Sequence, residues 1–253
     1  MTSIDGRVSP ADQAMILVSD QGVLRGDGAF EVLRVYNGTP FALAEHLDRL
    51  QRSCTAIELQ CPRSDIESDI GALLKTDAAT DCQLRIVVTR GGRRLALLEE
   101  LVQHGESVSL LPVTYAPSEV LTGVKSLSYA ANMHATRIAA NAGFDEALLV
   151  KPDGVVLEAP TSSIFWAVQG QLKTPSLESG ILASITRQIV VDALNVEQGE
   201  FQIDDLMAAD EAFLASTTRE VQAVNRVADR AFQVPGPITR VAIGIVRRVV
   251  EQE

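Results

Sequence analysis

The sequence predicts an α+β fold for this chain of 253 residues. Three observations indicate it: alternating apolar runs are joined in pairs by short turns, helical stretches do not separate single strands, and no internal repeat is present. Because 46% of the residues are apolar, the chain can bury the core of one large domain or of two small ones.

The charge limits the kind of partner that we expect. The net charge of −11 argues against a surface for nucleic acid or anionic lipid, since both need a basic face. The first residues lack the apolar core of a signal peptide, and no apolar run has the length needed to span a bilayer. We therefore expect a cytoplasmic protein whose partners are small molecules or other proteins, with neither nucleic acid nor membrane among them.

The cysteines and histidines predict reduced thiols and no metal site. The cysteines are odd in number, and neither residue type has the spacing of metal ligands. These residues are Cys54, Cys61, Cys82, His46, His104 and His134.

The first part of the chain predicts a hairpin, two helices and two further strands. The hairpin strand alternates with period two and ends at the turn signal Asn37-Gly38. Apolar residues at spacings of three and four then indicate helices. In chain order we expect strands over 30–36 and 40–43, helices over 44–57 and 64–74, a strand over 83–90, a loop over 91–94 and a strand over 107–114.

The second part follows a proline-containing linker at 115–119 and again predicts hairpins and helices. Ser184 is a suitable N-cap for the second of its helices. We expect helices over 129–141, 185–194 and 238–250, hairpins over 146–158 and 164–174, and a short buried strand over 211–216.

Lys125 differs from the other three lysines. Lys75, Lys151 and Lys173 lie at polar helix ends or turns, whereas Lys125 lies among apolar and small residues. Removal of an ammonium group from water lowers its pKa and makes the amine a nucleophile toward an aldehyde. The alternative is a lysine that packs its stem at a strand end and keeps its charge in water.

Glu158 and Tyr129 are candidates for contacts with an aromatic cofactor. Glu158 closes a hairpin where simple packing predicts an apolar residue, and a carboxylate there could hold the proton of a pyridinium ring. Tyr129 could bind a phenolate oxygen. Alternatively, Glu158 is a strand-end carboxylate in water and Tyr129 a half-buried core residue.

Three segments could together bind a phosphate group. The helix that begins after Ser184 directs its first amides toward an anion, and the turn 215–218 offers hydroxyl groups. Arg49, on the polar face of the first long helix, could supply positive charge. The alternatives are a simple helix cap, an edge loop and a solvated arginine.

Seven segments in unbroken order resemble the fold-type IV pyridoxal-phosphate enzymes. This group contains branched-chain and D-amino-acid aminotransferases, (R)-amine transaminases and 4-amino-4-deoxychorismate lyases. The resemblance extends over about 20–224, in the segments 26–35 (GDGAFEVLRV), 45–50 (EHLDRL), 125–129 (KSLSY), 143–147 (GFDEA), 154–158 (GVVLE), 185–187 (ITR) and 216–221 (STTREV).

The resemblance implies a role for each matching residue. Lys125 would carry pyridoxal 5'-phosphate as a Schiff base and move the proton during catalysis, Glu158 would contact the ring nitrogen, and Tyr129 would contact the ring hydroxyl. The remaining cofactor-binding residues, mainly around the phosphate, would be Arg49, Ser184, Ile185, Thr186, Ser216 and Thr217. Phe30, Arg34 and Thr218 would line the substrate side. Apart from the resemblance, the need to bind substrate carboxylates adds Arg25, Arg93 and Arg94 as candidate substrate-binding residues.

The resemblance also implies an architecture. A small α/β domain (1–115) would be joined by an interdomain loop (116–122) to a large domain built around a pseudo-barrel (123–253), and two subunits would form a homodimer. Three positions depart from the common family pattern: Ser163 replaces asparagine, Ser184 replaces glycine and Ala223 replaces proline.

For the reaction we favour transfer of an amino group between an amino acid, branched-chain or D-configured, and a 2-oxo acid. The alternative is the lyase, which would release pyruvate and 4-aminobenzoate from 4-amino-4-deoxychorismate. Either substrate carries carboxylates for which Arg25, Arg93 and Arg94 are available, although 91–94 could equally be an exposed basic turn. A third possibility is a binding protein on the same scaffold that holds no pyridoxal.

Overall fold

The computed structural model describes residues 1–76 and 80–252 and divides the chain into two compact units. The first unit contains Met1–Val102 and Val124–Tyr129, and the second contains Gln103–Gly123 and Ala130–Glu253. The sequence predicted that residues 103–115 belong to the small domain. In the structure they group with the second unit instead. The domain limits at 115 and 123 remain a prediction.

The first unit is an antiparallel six-stranded sheet in the order β2-β1-β6-β5-β3-β4. Its helices pack apolar residues such as Leu50 and Ile70 against Leu33 and Leu84 of the sheet, all of them buried. The elements are β1 (Thr2–Ile4), β2 (Arg7–Ser9), α1 (Gln21–Arg25), β3 (Gly28–Tyr36), β4 (Thr39–Pro40), α2 (Leu43–Ala56), α3 (Arg63–Leu74), β5 (Cys82–Thr89) and β6 (Arg94–Glu99).

The second unit contains a mixed sheet in the order β11-β10-β9-β12-β13-β7-β8, with β14 paired to β13. The pairs β10–β11, β13–β7 and β7–β8 are parallel. The elements are β7 (Ser107–Thr114), α4 (Ala130–Asn141), β8 (Glu146–Val150), β9 (Ser163–Val168), β10 (Gln171–Pro175), α5 (Ile185–Ala193), β11 (Val196–Gly199), α6 (Ile203–Met207), β12 (Glu211–Ser216), β13 (Glu220–Val227), β14 (Arg230–Ala231) and α7 (Pro237–Gln252).

The predicted α+β class is confirmed, and several predicted elements have the expected ends. The strands β7 and β12 match their predicted limits, and α5 begins after Ser184 as expected. Within 1–76 and 80–252, no helix combines the length and apolar character needed to cross a bilayer.

Two local predictions are wrong, and a third is confirmed. The return strand predicted over 40–43 ends at Pro40, because Ala42 adopts a left-handed conformation (φ 50°) and α2 starts at the next residue. The loop predicted over 91–94 is shorter, since Arg94 already pairs with Val88 as the first residue of β6. The hairpin predicted over 146–158 does form, since the Leu149 amide donates to the Glu158 carbonyl at 2.9 Å, the Leu157 amide to the Leu149 carbonyl at 2.9 Å and the Lys151 amide to the Val155 carbonyl at 2.8 Å.

Candidate active site

The backbone around Lys125 is fixed to the sheet and to a helix of the first unit. The amide of Phe30 donates to the Lys125 carbonyl at 3.0 Å, and the Lys125 amide donates to Ser53 Oγ of α2 at 3.1 Å. The amide of Leu127 donates to the Gly28 carbonyl at 2.9 Å. A Cβ atom at position 28 would lie 2.4 Å from the backbone carbonyl oxygen of Val88, so this position needs glycine.

The Lys125 side chain lies against two aromatic rings. Its Nζ is 4.4 Å from the ring centroid of Phe30 and 5.7 Å from that of Tyr129. The two rings meet edge to face, with centroids 5.3 Å apart. Lys125 is half-buried and Phe30 is buried. The structure therefore brings together three of the predicted site residues and gives the amine the partly apolar surroundings expected for it.

Glu31, His46 and Arg49 form a buried charged cluster, and sequence reasoning missed the first two. Arg49 donates from Nε to Glu31 Oε1 and from Nη2 to Glu31 Oε2, both at 2.7 Å, while His46 Nδ1 lies 2.9 Å from Oε2. Arg49 was expected on the polar face of its helix; that prediction is wrong, because only 5% of the residue is exposed. The signal was present in the sequence, since His46 and Arg49 are three residues apart on one helix face.

The cluster shifts the pKa values of its members. Burial raises the pKa of Glu31, but hydrogen bonds from Arg49 and His46 outweigh it and lower the pKa to about 2. Burial lowers the pKa of His46, and the hydrogen bond with Glu31 only partly opposes this. At neutral pH the cluster therefore contains an ionised carboxylate that orients the arginine.

The structure places the predicted substrate arginines in different surroundings. Arg25 ends α1 and is exposed, and the guanidinium of Arg34 lies 4.3 Å from the Tyr36 ring centroid. Arg93 donates to Asp5 Oδ2 at 2.6 Å. Arg94 donates to Asp69 Oδ2 at 3.0 Å. The charges of Arg93 and Arg94 are thus balanced within the first unit.

Glu158 is held by the segment that precedes α5. Its Oε1 accepts a hydrogen bond from the Leu182 amide at 3.0 Å, and its backbone carbonyl accepts one from the Leu149 amide at 2.9 Å. Burial raises the pKa of the Tyr115 hydroxyl, and the charge of Glu158 raises it further. The carboxylate is therefore fixed in position and acts electrostatically on its neighbours in the second unit.

The start of α5 has the features of an anion-binding position. Ser184 Oγ accepts from the Arg187 amide at 3.2 Å, and the first two helical residues are Ile185 and Thr186. Their amides have no partner within the helix, and the helix dipole favours negative charge there. The Thr186 hydroxyl is buried and has no hydrogen-bond partner among the described residues.

The turn whose hydroxyl groups were predicted to bind a phosphate is the tight connection between β12 and β13. Ser216 pairs with Glu220, which leaves Thr217, Thr218 and Arg219 in the turn, and Glu220 has a positive φ of 57°. Arg219 donates to Glu146 Oε2, so the turn is tied to β8. This ion pair is almost fully buried and restrains the conformation of the turn.

Each unit thus supplies its own group of predicted residues. The first unit carries Arg25, Phe30, Arg34, Arg49, Arg93, Arg94, Lys125 and Tyr129, and the second carries Glu158, Ser184, Ile185, Thr186, Ser216, Thr217 and Thr218. In the described parts of the chain, no three His, Cys, Asp or Glu side chains form a group that could hold a metal ion.

Comparison with known proteins identifies relatives across most of the chain. A family model described as amino-transferase class IV matches residues 28–227. A D-alanine aminotransferase of Bacillus licheniformis is 29% identical over 93% of this chain and 92% of its own length. An aminodeoxychorismate lyase of Bacillus subtilis is 27% identical over 87% of this chain and 84% of its own length.

A solved structure shows the same fold. The branched-chain aminotransferase of Thermoproteus uzoniensis, determined with norvaline, superimposes with a TM-score of 0.90 at 27% sequence identity. The match covers 100% of this chain and 95% of that chain. It confirms the fold expected from the seven sequence segments.

Proposed function

Because the chain belongs to the class IV aminotransferase family, we propose that it is a pyridoxal-phosphate-dependent aminotransferase. It would move an amino group between a branched-chain or D-configured amino acid and a 2-oxo acid. We further propose that it acts as a cytoplasmic homodimer, as the family resemblance implies.

The surroundings of Lys125 carry this proposal. Lys151 pairs with Glu200 at 3.5 Å, Lys173 pairs with Asp205 at 2.8 Å, and Lys75 is exposed. Lys125 instead lies against the Phe30 and Tyr129 rings, with its backbone fixed on both sides. Of the four lysines, it therefore has the surroundings best suited to an amine that reacts with an aldehyde.

The residues at the start of α5 suit the phosphate of the cofactor. The buried Thr186 hydroxyl lacks a hydrogen-bond partner among the described residues, and the first amides of the helix favour an anion. We propose that these groups and Arg49 bind the phosphate, with Ser184, Ser216 and Thr217 nearby. The bidentate contact with Glu31 fixes the direction of the Arg49 guanidinium.

In the proposed reaction, bound pyridoxal phosphate supplies the electron sink for substrate carbanion charge. Lys125 would hold the cofactor until the substrate amine displaces it, and its freed Nζ would then move the proton from the substrate Cα to C4′ of the cofactor. Glu158 would hold the proton of the cofactor's ring nitrogen, and Tyr129 would orient the ring by a hydrogen bond near the ring hydroxyl. Phe30, Arg34 and Thr218 would line the substrate side.

The four candidate substrate arginines differ in how available they are to bind a substrate carboxylate. Arg25 is exposed and its position leaves it available for a carboxylate. Arg93 and Arg94 already contact Asp5 and Asp69, so binding of a substrate carboxylate there would compete with an existing ion pair. We therefore propose Arg34 and Arg25 ahead of the other two.

An amino-donor panel tests the proposal. Purified protein is incubated with pyridoxal phosphate, pyruvate or 2-oxoglutarate, and a series of L- and D-amino acids, and the new amino acid is quantified. We expect transfer from at least one donor, its loss in Lys125→Ala, and its retention in Lys75→Ala, which removes an exposed lysine. Failure of every donor contradicts the aminotransferase. Release of pyruvate and 4-aminobenzoate from 4-amino-4-deoxychorismate would then identify the lyase.

A further inference from the structure

The buried face of α2 carries a polar stripe beside its apolar residues. Three buried polar side chains follow one another at spacings of three and four residues, so they lie on the same side of the helix. These residues are His46, Arg49 and Ser53. Polar groups in a protein interior cost stability unless they are hydrogen bonded. Glu31 is a partner of the first two, and the third therefore needs an explanation of its own.

Ser53 has its partner in the segment that carries the proposed reactive amine. Its Oγ accepts a hydrogen bond from the Lys125 amide at 3.1 Å. Only 2% of Ser53 is exposed, so water has little access to this hydroxyl group. Alanine would be the better residue for the interior of a helix. The hydroxyl at position 53 is thus explained by its contact with Lys125 and not by the helix to which it belongs.

The contact with Ser53 completes the attachment of the Lys125 backbone. The carbonyl of Lys125 accepts from the Phe30 amide of β3 at 3.0 Å, while its amide donates to α2. The side chain extends from the Cα atom between these two groups. Fixing both groups therefore limits the region that Nζ can reach, and the hydroxyl of Ser53 supplies one of the two restraints.

We propose that Ser53 is a positioning residue that holds Lys125 where its amine meets the aldehyde of the cofactor. This inference rests on the proposed function, because it takes Lys125 as the residue that bonds to pyridoxal phosphate. In that step Nζ attacks the aldehyde carbon, a C=N bond replaces the C=O bond, and one water molecule is released. Ser53 acts on the backbone from which the amine extends. Arg49, four positions earlier on α2, acts on the phosphate.

Two ligands separate this role from a general effect on the binding site. Pyridoxal phosphate has the aldehyde, whereas pyridoxine 5'-phosphate has an alcohol in its place and cannot bond to a lysine. We expect Ser53→Ala to weaken the binding of pyridoxal phosphate about three- to tenfold, as for the loss of one neutral hydrogen bond. The affinity for pyridoxine 5'-phosphate should stay unchanged. Calorimetric titration of purified protein measures both affinities.

Thr55→Ala is the matched control. Thr55 lies on the same helix, but it is exposed and its hydroxyl donates to the Gln51 carbonyl at 2.8 Å. Its removal should change neither affinity. Equal weakening of both ligands in Ser53→Ala would place the effect on the ring or the phosphate and overturn the proposal. Unchanged binding of pyridoxal phosphate in Ser53→Ala would overturn it as well.

Amide hydrogen exchange tests the contact in protein prepared without cofactor. We expect the Lys125 amide to exchange about three- to tenfold faster in Ser53→Ala than in wild type. The Leu127 amide, which donates to the Gly28 carbonyl, should keep its rate. Equal exchange of the Lys125 amide in both proteins would overturn the proposal. Failure of the wild-type protein to bond to pyridoxal phosphate would instead contradict the proposed function, while the exchange rates would still report on the contact.

Discussion

The Glu31 carboxylate accepts hydrogen bonds from Nε and Nη2 of Arg49, and neither residue has more than 5% of its surface exposed. Such a pair stabilises a fold only while it is complete, because removal of one charge leaves the other buried without compensation. It joins β3, which carries Phe30, to α2, whose Ser53 holds the Lys125 amide. Several expected properties of the protein follow from this relationship.

Glu31→Gln should strongly destabilise the protein. We expect a loss of about 3–5 kcal/mol in the free energy of unfolding, since Arg49 remains buried without its counter-charge. Glu99→Gln is the matched control, because Glu99 pairs with Arg85 at 2.9 Å with about a third of both side chains exposed. Such a pair contributes about 0–1 kcal/mol. Denaturant unfolding of both variants measures the difference, and equal losses would contradict the importance of the buried cluster.

The Glu31 carboxylate should also make the stability of the protein fall at acid pH. Its pKa in the folded protein is about 2, below the ordinary value of 4.5 for a glutamate. A lowered folded-state pKa contributes stability that is complete above about 4.5 and is lost as the pH falls toward 2. We expect urea midpoints between these pH values to fall more steeply in wild type than in Glu31→Gln. Parallel curves would show that another group dominates this range.

His104 should give a second pH dependence in a different range. Burial, assisted by the charge of Arg219, lowers its pKa from 6.5 to about 4. The unfolded chain therefore binds a proton in this range that the folded protein does not, so stability should rise with pH from 4 to 6.5. His104→Gln should flatten this part of the curve, and His134→Gln, at an exposed histidine, should not. An unchanged slope in His104→Gln would refute the assignment.

Substitutions of Ser184 should show whether its hydroxyl group caps α5. Its Oγ accepts from the Arg187 amide, so Ser184→Ala should cost about 1 kcal/mol of stability. Ser184→Gly, which restores the residue common in the family, should cost only a few tenths of a kcal/mol. Thermal unfolding of both variants tests this order, and a reversed order would mean that the hydroxyl does not act as the cap.

The sequence was sufficient for elements defined by local signals. The Ser184 cap predicted the start of α5, and an unbroken apolar run predicted β12 with its correct ends. The setting of Lys125 was predicted from its apolar neighbours. These features depend on nearby residues, so no knowledge of the tertiary structure was needed.

Other features depended on contacts between distant residues and were not predictable in this way. The strand β6 begins at Arg94 because β5 and β1 pair with its two edges. Arg49 looked like a solvated helix residue, because its partner Glu31 is 18 positions away on a strand. The contact between Ser53 and the Lys125 amide likewise joins residues that are 72 positions apart.

The identity of the reactive amine is the central claim, and chemical reduction tests it directly. The protein is mixed with pyridoxal phosphate, treated with borohydride to fix any bond between cofactor and amine, digested and analysed by mass spectrometry. We expect the pyridoxyl phosphate mass on the peptide that contains Lys125, with none in Lys125→Ala. A label on Lys75, Lys151 or Lys173 instead, or on no lysine at all, would contradict the account.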